Sequence, residues 1–188
     1  MPKREFVIET GKYYHLYNRG VNKGKIFYSD RNYTYFLFLL GRYFMDTADI
    51  LAYCLMPNHF HIVIQVKSDS FLKESLHPFL LTYSKAINRE QNRVGPLFQG
   101  RYQVNPIDDD GYLFDCVKYI HLNPVKARLV TEPMQWMYSS YSDYVLNKTD
   151  TFVETETILR KFDSIIDFQA FTESDIDCFE PKNFSDGD

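Results

Sequence analysis

Four stretches of the chain have the apolar or alternating pattern of β-strands. They are residues 12–18, 50–57, 59–66 and 97–107. The second and third stretches are separated only by Asn58, so Pro57 and Asn58 are expected in the turn of an antiparallel hairpin. The fourth stretch follows a Gly-Pro turn signal and is expected to complete the sheet.

Helical patterns lie between and after these strands. The first helix is predicted to begin at Asp30, and the second at Ser70, with Pro78 kinking or splitting it. A third follows the acidic residues 108–110 and is expected to stop at Pro124, because the residue before a proline disfavours helical geometry. The order β-α-β-β-α-β-α predicts an α+β fold: a ferredoxin-like antiparallel sheet with an added C-terminal helix.

Charge divides the chain into two regions. The net charge is −4, but residues 150–188 carry eleven acidic side chains against three basic ones. Residues 1–149 carry eighteen basic and fourteen acidic side chains, so this part is basic and compatible with a nucleic-acid partner. We therefore predict one domain over residues 1–149, with a packed loop and short helix near its end. Residues 150–188 are predicted to be an acidic extension, helical near 154–171 and disordered at its FSDGD terminus.

Several functional classes are disfavoured by composition. No stretch approaches the roughly 18–20 apolar residues of a membrane span, and the N-terminus lacks the apolar run of a secretion signal. The three cysteines form no CxxC pair, and their odd number argues against a disulfide framework. These features predict a cytoplasmic protein that has no membrane partner.

Two histidines interrupt the most strand-like stretch of the chain. His59 and His61 point to the same face of a strand, with their Cα atoms roughly 6.5 Å apart, while the alternate positions are apolar. Paired imidazoles on a strand are a common metal-ligand arrangement. The alternative is a pair of structural histidines that form hydrogen bonds on an open sheet face, and the spacing alone leaves both interpretations open.

A second group of candidate functional residues lies on the predicted third helix. Tyr119 and Asn123 are four residues apart and therefore share a helix face, whereas His121 points to a different surface. Since Asn123 precedes Pro124, we expect the helix to end there and the amide to turn toward a ligand. The alternative is a core tyrosine followed by an ordinary C-terminal asparagine.

The two segments PNHFHIVI and YIHLNPVKARLV resemble the signatures of HUH-type transposases with a single catalytic tyrosine. This is the insertion-sequence-200-like family, and the YI-x-x-NPV pattern is closest to its REP-associated tyrosine transposases. The intervening PLFQGRYQV also resembles a segment of that branch. The resemblance extends over roughly residues 12–145 and leaves the acidic extension outside.

The resemblance implies a reaction and a role for each signature residue. Tyr119 would be the nucleophile, and His59, His61 and Asn123 would hold Mg²⁺ or Mn²⁺. A tyrosine hydroxyl, with an ordinary pKa of about 10, needs such help at neutral pH. Insertion-sequence enzymes often have glutamine or a carboxylate in place of Asn123, so the amide implies weaker, neutral ligation.

The implied activity is nicking and strand transfer of single-stranded DNA through a 5′-phosphotyrosine, at hairpin-forming repeats or transposon ends. Hairpin single-stranded DNA is the expected partner, and the family also allows a homodimer. Basic and aromatic side chains suited to a single-stranded backbone are the predicted DNA contacts. They are Lys12, Arg19, Lys23, Lys25, Lys85, Arg89, Arg93, Arg101 and Tyr102, with Arg101 and Tyr102 expected on the fourth strand.

Two other functions remain open from the sequence. Ferredoxin-like sheets with exposed aromatic residues commonly bind RNA without catalysis, and such a module would tolerate loss of the Tyr119 hydroxyl. A metal-dependent phosphoesterase that uses water would hydrolyse its substrate without forming a covalent protein–DNA product.

Overall fold

A four-stranded antiparallel sheet forms the centre of the computed structural model, which describes residues 8–174. The strands are β1 (Tyr13–Arg19), β2 (Ala48–Met56), β3 (His59–Val66) and β4 (Gln103–Ile107). Their order in the sheet is β2-β3-β1-β4, so the two strands with histidines, β3 and β1, lie in the middle. The predicted ferredoxin-like sheet is confirmed, as is the two-residue turn that joins β2 to β3.

Two helices cover the apolar face of this sheet. They are α1 (Asp30–Phe44) and α2 (His77–Glu90), and a π-helical turn, Leu72–Leu76, precedes α2. Pro78 lies in the first turn of α2, directly after the π-helical turn, so the predicted kink or split corresponds to a change from π-helical to α-helical geometry at this proline. Phe36 of α1 packs on Phe60 of β3 and on Phe79 of α2, which joins the helices to the sheet in one aromatic core.

The third long helix, α3 (Asp110–Lys126), packs on the opposite face of the sheet, mainly against β2. The side chain of Asp109 caps its N-terminus by accepting a hydrogen bond from the Tyr112 N–H at 2.8 Å. The prediction that Pro124 stops the helix is wrong, because α3 continues to Lys126. A proline in the last turn removes only one hydrogen bond, and Ala127 N still donates to the Asn123 carbonyl at 2.9 Å.

The fourth strand is shorter than predicted. Residues 97–102 do not join it, since Gly100 has a positive φ of 72° that turns the chain before β4. This segment instead contacts the end of β1, where Gln99 N donates to the Arg19 carbonyl at 2.7 Å. Arg101 and Tyr102 therefore lie in the loop before β4, and their predicted position on the strand is wrong.

The described part of the acidic extension packs against the rest of the protein. After α4 (Tyr141–Val145), it forms two short helices, α5 (Glu156–Leu159) and α6 (Ile165–Glu173), rather than one helix over 154–171. Ser164 caps α6 by accepting a hydrogen bond from Asp167 N at 3.2 Å. Phe168 is fully buried, and the predicted disorder of FSDGD falls outside the described residues.

Later segments of the chain cover the outer edge of β2. Val153 forms a parallel bridge with Ile50, and Ser139 forms an antiparallel bridge with Cys54. At the opposite edge of the sheet, β4 contains Pro106. Among residues 8–174, no helix combines the length and apolar character needed to cross a bilayer.

Candidate active site

Antiparallel pairing places three histidines on the sheet face that α3 covers. Residues directly opposite one another across such a pair point to the same side. Across β1 and β3, His59 lies opposite Arg19 and His61 lies opposite Tyr17. His15 is two residues before Tyr17 on β1, so its side chain belongs to the same face. The predicted shared face of His59 and His61 is confirmed, and His15 is added to it.

Hydrogen bonds orient both signature imidazoles. His59 Nδ1 lies 2.7 Å from Asn58 Oδ1, and His61 Nδ1 lies 2.9 Å from His15 Nε2. When each Nδ1 donates in its bond, each neutral ring carries its lone pair at Nε2, which is the arrangement that metal-ligating histidines need. The sequence analysis missed both supporting residues, because Asn58 was assigned only to the turn and His15 only to a strand.

Helix α3 brings the tyrosine and the amide to these histidines. The ring centroids of Tyr119 and His61 are 5.7 Å apart with perpendicular planes, and Asn123 Oδ1 lies 3.3 Å from His59 Nε2. Tyr119 and Asn123 are buried, at 4% and 6% exposure, whereas His59 is half-buried. The four residues singled out from the two signature segments therefore meet at one place, although they are about 60 residues apart in the chain.

Burial keeps two of the histidines neutral. The pKa of His15 is lowered to about 3 because the imidazolium form would lose its hydration. Burial lowers the pKa of His61 well below the usual value, and the neighbouring His59 and His15 add to this effect. Neutral imidazole is the form that binds metal ions, so no proton has to be removed from His61 near pH 7.

The donor atoms of this site fit a divalent cation. With Nδ1 of His59 donating to Asn58, the lone pair of His59 Nε2 faces the Asn123 oxygen, and two acceptors converge without a proton between them. Counting only histidine, cysteine and carboxylate side chains, the part of the chain that the structure describes holds no metal-binding group of three. A third protein ligand for a metal here would therefore have to be of another type, and the neutral Asn123 amide is the neighbouring candidate.

Lys126 is a further cationic residue at the site that the sequence analysis missed. Its ammonium group lies 5.5 Å from the centroid of the Tyr119 ring. It is seven residues after Tyr119, two helical turns on, so it belongs to the same side of α3. A cation over an aromatic ring is attracted to the electron-rich face of that ring. The heptad spacing from Tyr119 was the sequence signal for this contact.

The predicted DNA-binding residues divide into three groups by position. Arg19 lies beside His59, and Lys23 and Lys25 follow in the loop after β1. Lys12 lies before the other end of β1, roughly 23 Å along the chain from Arg19. The others lie on or after α2, on the opposite sheet face or in its flanking loops, and they are Lys85, Arg89, Arg93, Arg101 and Tyr102.

Two of these side chains have defined partners. Arg93 donates to the Tyr28 hydroxyl at 2.7 Å, and Tyr102 lies 3.4 Å from His77 Nε2. Of all the predicted DNA contacts, Arg19 is the one that the sheet register sets directly next to a signature histidine.

His121 lies away from the site, as predicted. It is fully buried, its Nε2 is 2.9 Å from Ser140 Oγ, and its ring packs edge-on against Tyr144. This histidine therefore links α3 to the segment around α4 rather than contributing to the cluster on the sheet.

The family model described as "Transposase IS200 like" matches residues 10–123, which is more than half of the chain. The chain belongs to the IS200-like transposase family. The matched range begins just before β1 and ends at Asn123, so it contains the first signature segment and the part of the second from Tyr119 to Asn123, and it excludes Lys126 and the whole acidic extension.

Two relatives give this member of the IS200-like transposase family a closer context. It is 28% identical over 103 residues to a REP-associated tyrosine transposase of Haemophilus influenzae, covering 50% of this chain and 58% of that protein. Its fold is similar to a solved REP-associated tyrosine transposase bound to a REP hairpin, with a TM-score of 0.60 and 16% identity. That match covers 82% of this chain and 91% of the other.

Proposed function

We propose that this IS200-like transposase nicks single-stranded hairpin DNA and transfers the cut strand through a covalent link to Tyr119. The observation that carries the proposal is the approach of α3 to the sheet. One helix sets Tyr119 beside His61 and Asn123 beside His59, in a cluster that also contains Arg19. A nucleophile, cation-binding groups and a phosphate-binding cation are the three elements that phosphodiester transfer requires.

In the proposed reaction, the Tyr119 oxygen attacks the scissile phosphorus. A P–O bond to the tyrosine forms, the bond to the 3′ oxygen breaks, and that oxygen takes up a proton to leave a free 3′ hydroxyl. The phenolic proton is released to solvent. Because the 5′-phosphotyrosine retains a phosphodiester bond, a DNA hydroxyl can reverse the step and join strands. The Lys126 ammonium over the ring stabilises the negative charge that the tyrosine oxygen must develop.

His59, His61 and Asn123 would hold Mg²⁺ or Mn²⁺ in this proposal. When bound, such an ion polarises the scissile phosphate and neutralises charge that develops on its oxygens. Imidazole, imidazole and amide leave coordination positions open to oxygen, unlike a closed structural site. The chain's own contribution is to hold the three donor atoms in place and to pack the Tyr119 ring beside His61.

Hairpin DNA is the proposed partner because a solved protein of the same fold is described as bound to a REP hairpin. The chain spans 58% of the length of the curated relative that it matches, so substrate and activity are both part of the proposal. Lys23 and Lys25 lie in the loop that follows Arg19. They place positive charge near His59, at the half-buried end of the site.

The proposal is tested with labelled single-stranded hairpin oligonucleotides, incubated with Mn²⁺ and separated on denaturing gels. We expect the label to remain on the protein, and the product to disappear in chelator and in the double variant His59→Ala/His61→Ala. Hairpin binding without a covalent product, over a broad panel of hairpins, would favour a non-catalytic nucleic-acid-binding module. Undiminished product in chelator would contradict the metal requirement.

Replacing Arg19 by Ala should slow covalent product formation by about ten-fold or more, because Arg19 stands beside His59 and is the side chain best placed to hold the scissile phosphate. The measurement is the single-turnover rate at saturating hairpin. The matched control is Lys67→Ala, which removes an exposed cation paired with Asp49 at 2.9 Å, near the opposite end of β3. Equal rates in both variants would place the phosphate elsewhere.

A further inference from the structure

Asn58, at the tip of the β2–β3 hairpin, contacts two parts of the candidate site at once. Its Oδ1 is 2.7 Å from His59 Nδ1, and its Nδ2 donates to the Lys23 carbonyl at 3.1 Å. Its own backbone carbonyl accepts from Gly20 N at 2.7 Å. One turn residue therefore joins a candidate metal ligand to the basic loop that follows β1.

The amide orientation of Asn58 follows from these partners. A backbone carbonyl can only accept a hydrogen bond, so the atom that faces the Lys23 carbonyl must be the NH₂ group. The Asn58 oxygen then faces His59, whose Nδ1 must carry the proton. This arrangement leaves the lone pair of His59 at Nε2, on the side of Asn123.

The loop that Asn58 holds is a tight one. Asn22 and Lys23 both adopt left-handed backbone angles, with φ of 54° and 57°. A Cβ added to Gly20 would lie 2.0 Å from the Gly24 carbonyl oxygen, so the loop closes on itself with no room for a side chain there. Left-handed geometry at non-glycine residues is unfavourable, and it persists where surrounding contacts hold it, such as the bond from Asn58.

We propose that Asn58 is a positioning residue that couples His59 to this loop, so that DNA phosphate bound by the loop arrives at a correctly oriented metal ligand. The inference rests on the proposed function and deepens it. Asn58 touches neither the nucleophile nor the reacting phosphate. It fixes which nitrogen of His59 is protonated. It also holds the backbone of the loop from which the Lys23 and Lys25 side chains extend.

Two substitutions separate these roles. Asn58→Ala removes both the acceptor for His59 and the donor to Lys23. Asn58→Asp keeps an acceptor for His59 Nδ1, removes the donor to Lys23 and adds one negative charge. Asn88→Ala is the matched control, because Asn88 Nδ2 also donates to a loop carbonyl, that of Gly95 at 2.8 Å, but on α2.

The readouts are the Mn²⁺ concentration for half-maximal covalent product, Mn²⁺ affinity by calorimetry without DNA, hairpin affinity in chelator, and the thermal midpoint. For Asn58→Ala we expect the half-maximal Mn²⁺ concentration to rise about 10- to 100-fold, as for other residues that orient metal-bound histidines. For Asn58→Asp we expect that concentration to stay within three-fold of wild type or fall below it, while hairpin affinity weakens. Asn88→Ala should match wild type in both.

A wild-type Mn²⁺ requirement in Asn58→Ala, with product still formed, would overturn the inference and leave the proposed function standing. A rise of equal size in Asn58→Asp would also overturn it, since the acceptor for His59 would then be irrelevant. Failure of the wild-type protein to form any covalent product would instead overturn the proposed function and this inference with it. If Asn58→Ala does not fold, Asn58→Gly takes its place as the variant without an acceptor, and the same two criteria apply to its Mn²⁺ requirement.

Discussion

Tyr119→Phe should abolish the covalent protein–DNA product, by a factor of at least about 10³, while hairpin binding changes less than three-fold. The substitution removes one oxygen and keeps the ring that packs at 5.7 Å from His61. If that oxygen is the atom that attacks phosphorus, no other group can replace it in the covalent link. The measurement pairs denaturing gels for the adduct with equilibrium binding to the same hairpin.

Tyr17→Phe is the matched control for this prediction. Tyr17 also stacks on His61, with ring centroids 5.8 Å apart, and it lies on the same sheet face. Retention of product in Tyr17→Phe and its loss in Tyr119→Phe would identify the nucleophile among the two neighbouring tyrosines. Free cleaved DNA that survives Tyr119→Phe would instead indicate a phosphoesterase that uses water, and full activity would contradict the proposed mechanism.

Phe168→Ala should lower the free energy of unfolding by about 3–5 kcal/mol, the range for large-to-small changes of a buried phenylalanine. Phe168 is fully buried in α6, where it stacks on Tyr144 at 4.8 Å and packs edge-on against Phe162 at 5.4 Å. For a chain of this size, the thermal midpoint should fall by roughly 6–20 °C. Urea unfolding followed by circular dichroism measures the effect.

Phe38→Ala is the control for this stability prediction, because Phe38 is 58% exposed on α1 and its loss should change stability by less than about 0.5 kcal/mol. A similarly small effect of Phe168→Ala would mean that α6 contributes little to the fold. A large effect would place the described part of the acidic extension within the same cooperative unit as the sheet. The division of the chain into a domain over residues 1–149 and an extension over residues 150–188 stays a prediction.

Local pattern was sufficient for most of the fold. Alternation placed His59 and His61 on one face of β3, and the four-residue spacing placed Tyr119 and Asn123 on one side of α3. Turn chemistry at residues 57–58 was read correctly as well. These predictions succeeded because each depends on the geometry of a single element, which the chain encodes within a few residues.

The errors and omissions arise where distant segments meet. His15 became part of the site only through the register between β1 and β3, which no local pattern specifies. Asparagine is common in turns, so the predicted turn already accounted for Asn58. Nothing further in the sequence indicated its side-chain contacts. The continuation of α3 past Pro124 depends on how many hydrogen bonds a proline removes near a helix end, and only the structure shows that it lies in the last turn.

The covered edge of β2 and the proline in β4 bear on how two copies could associate. Sheets most easily extend from one molecule to another by pairing open edge strands. Here residues of the same chain already form bridges with β2, and Pro106 in the short β4 has no N–H to offer a further strand. We therefore expect any homodimer of this chain to form through helices or loops rather than by joining the two sheets.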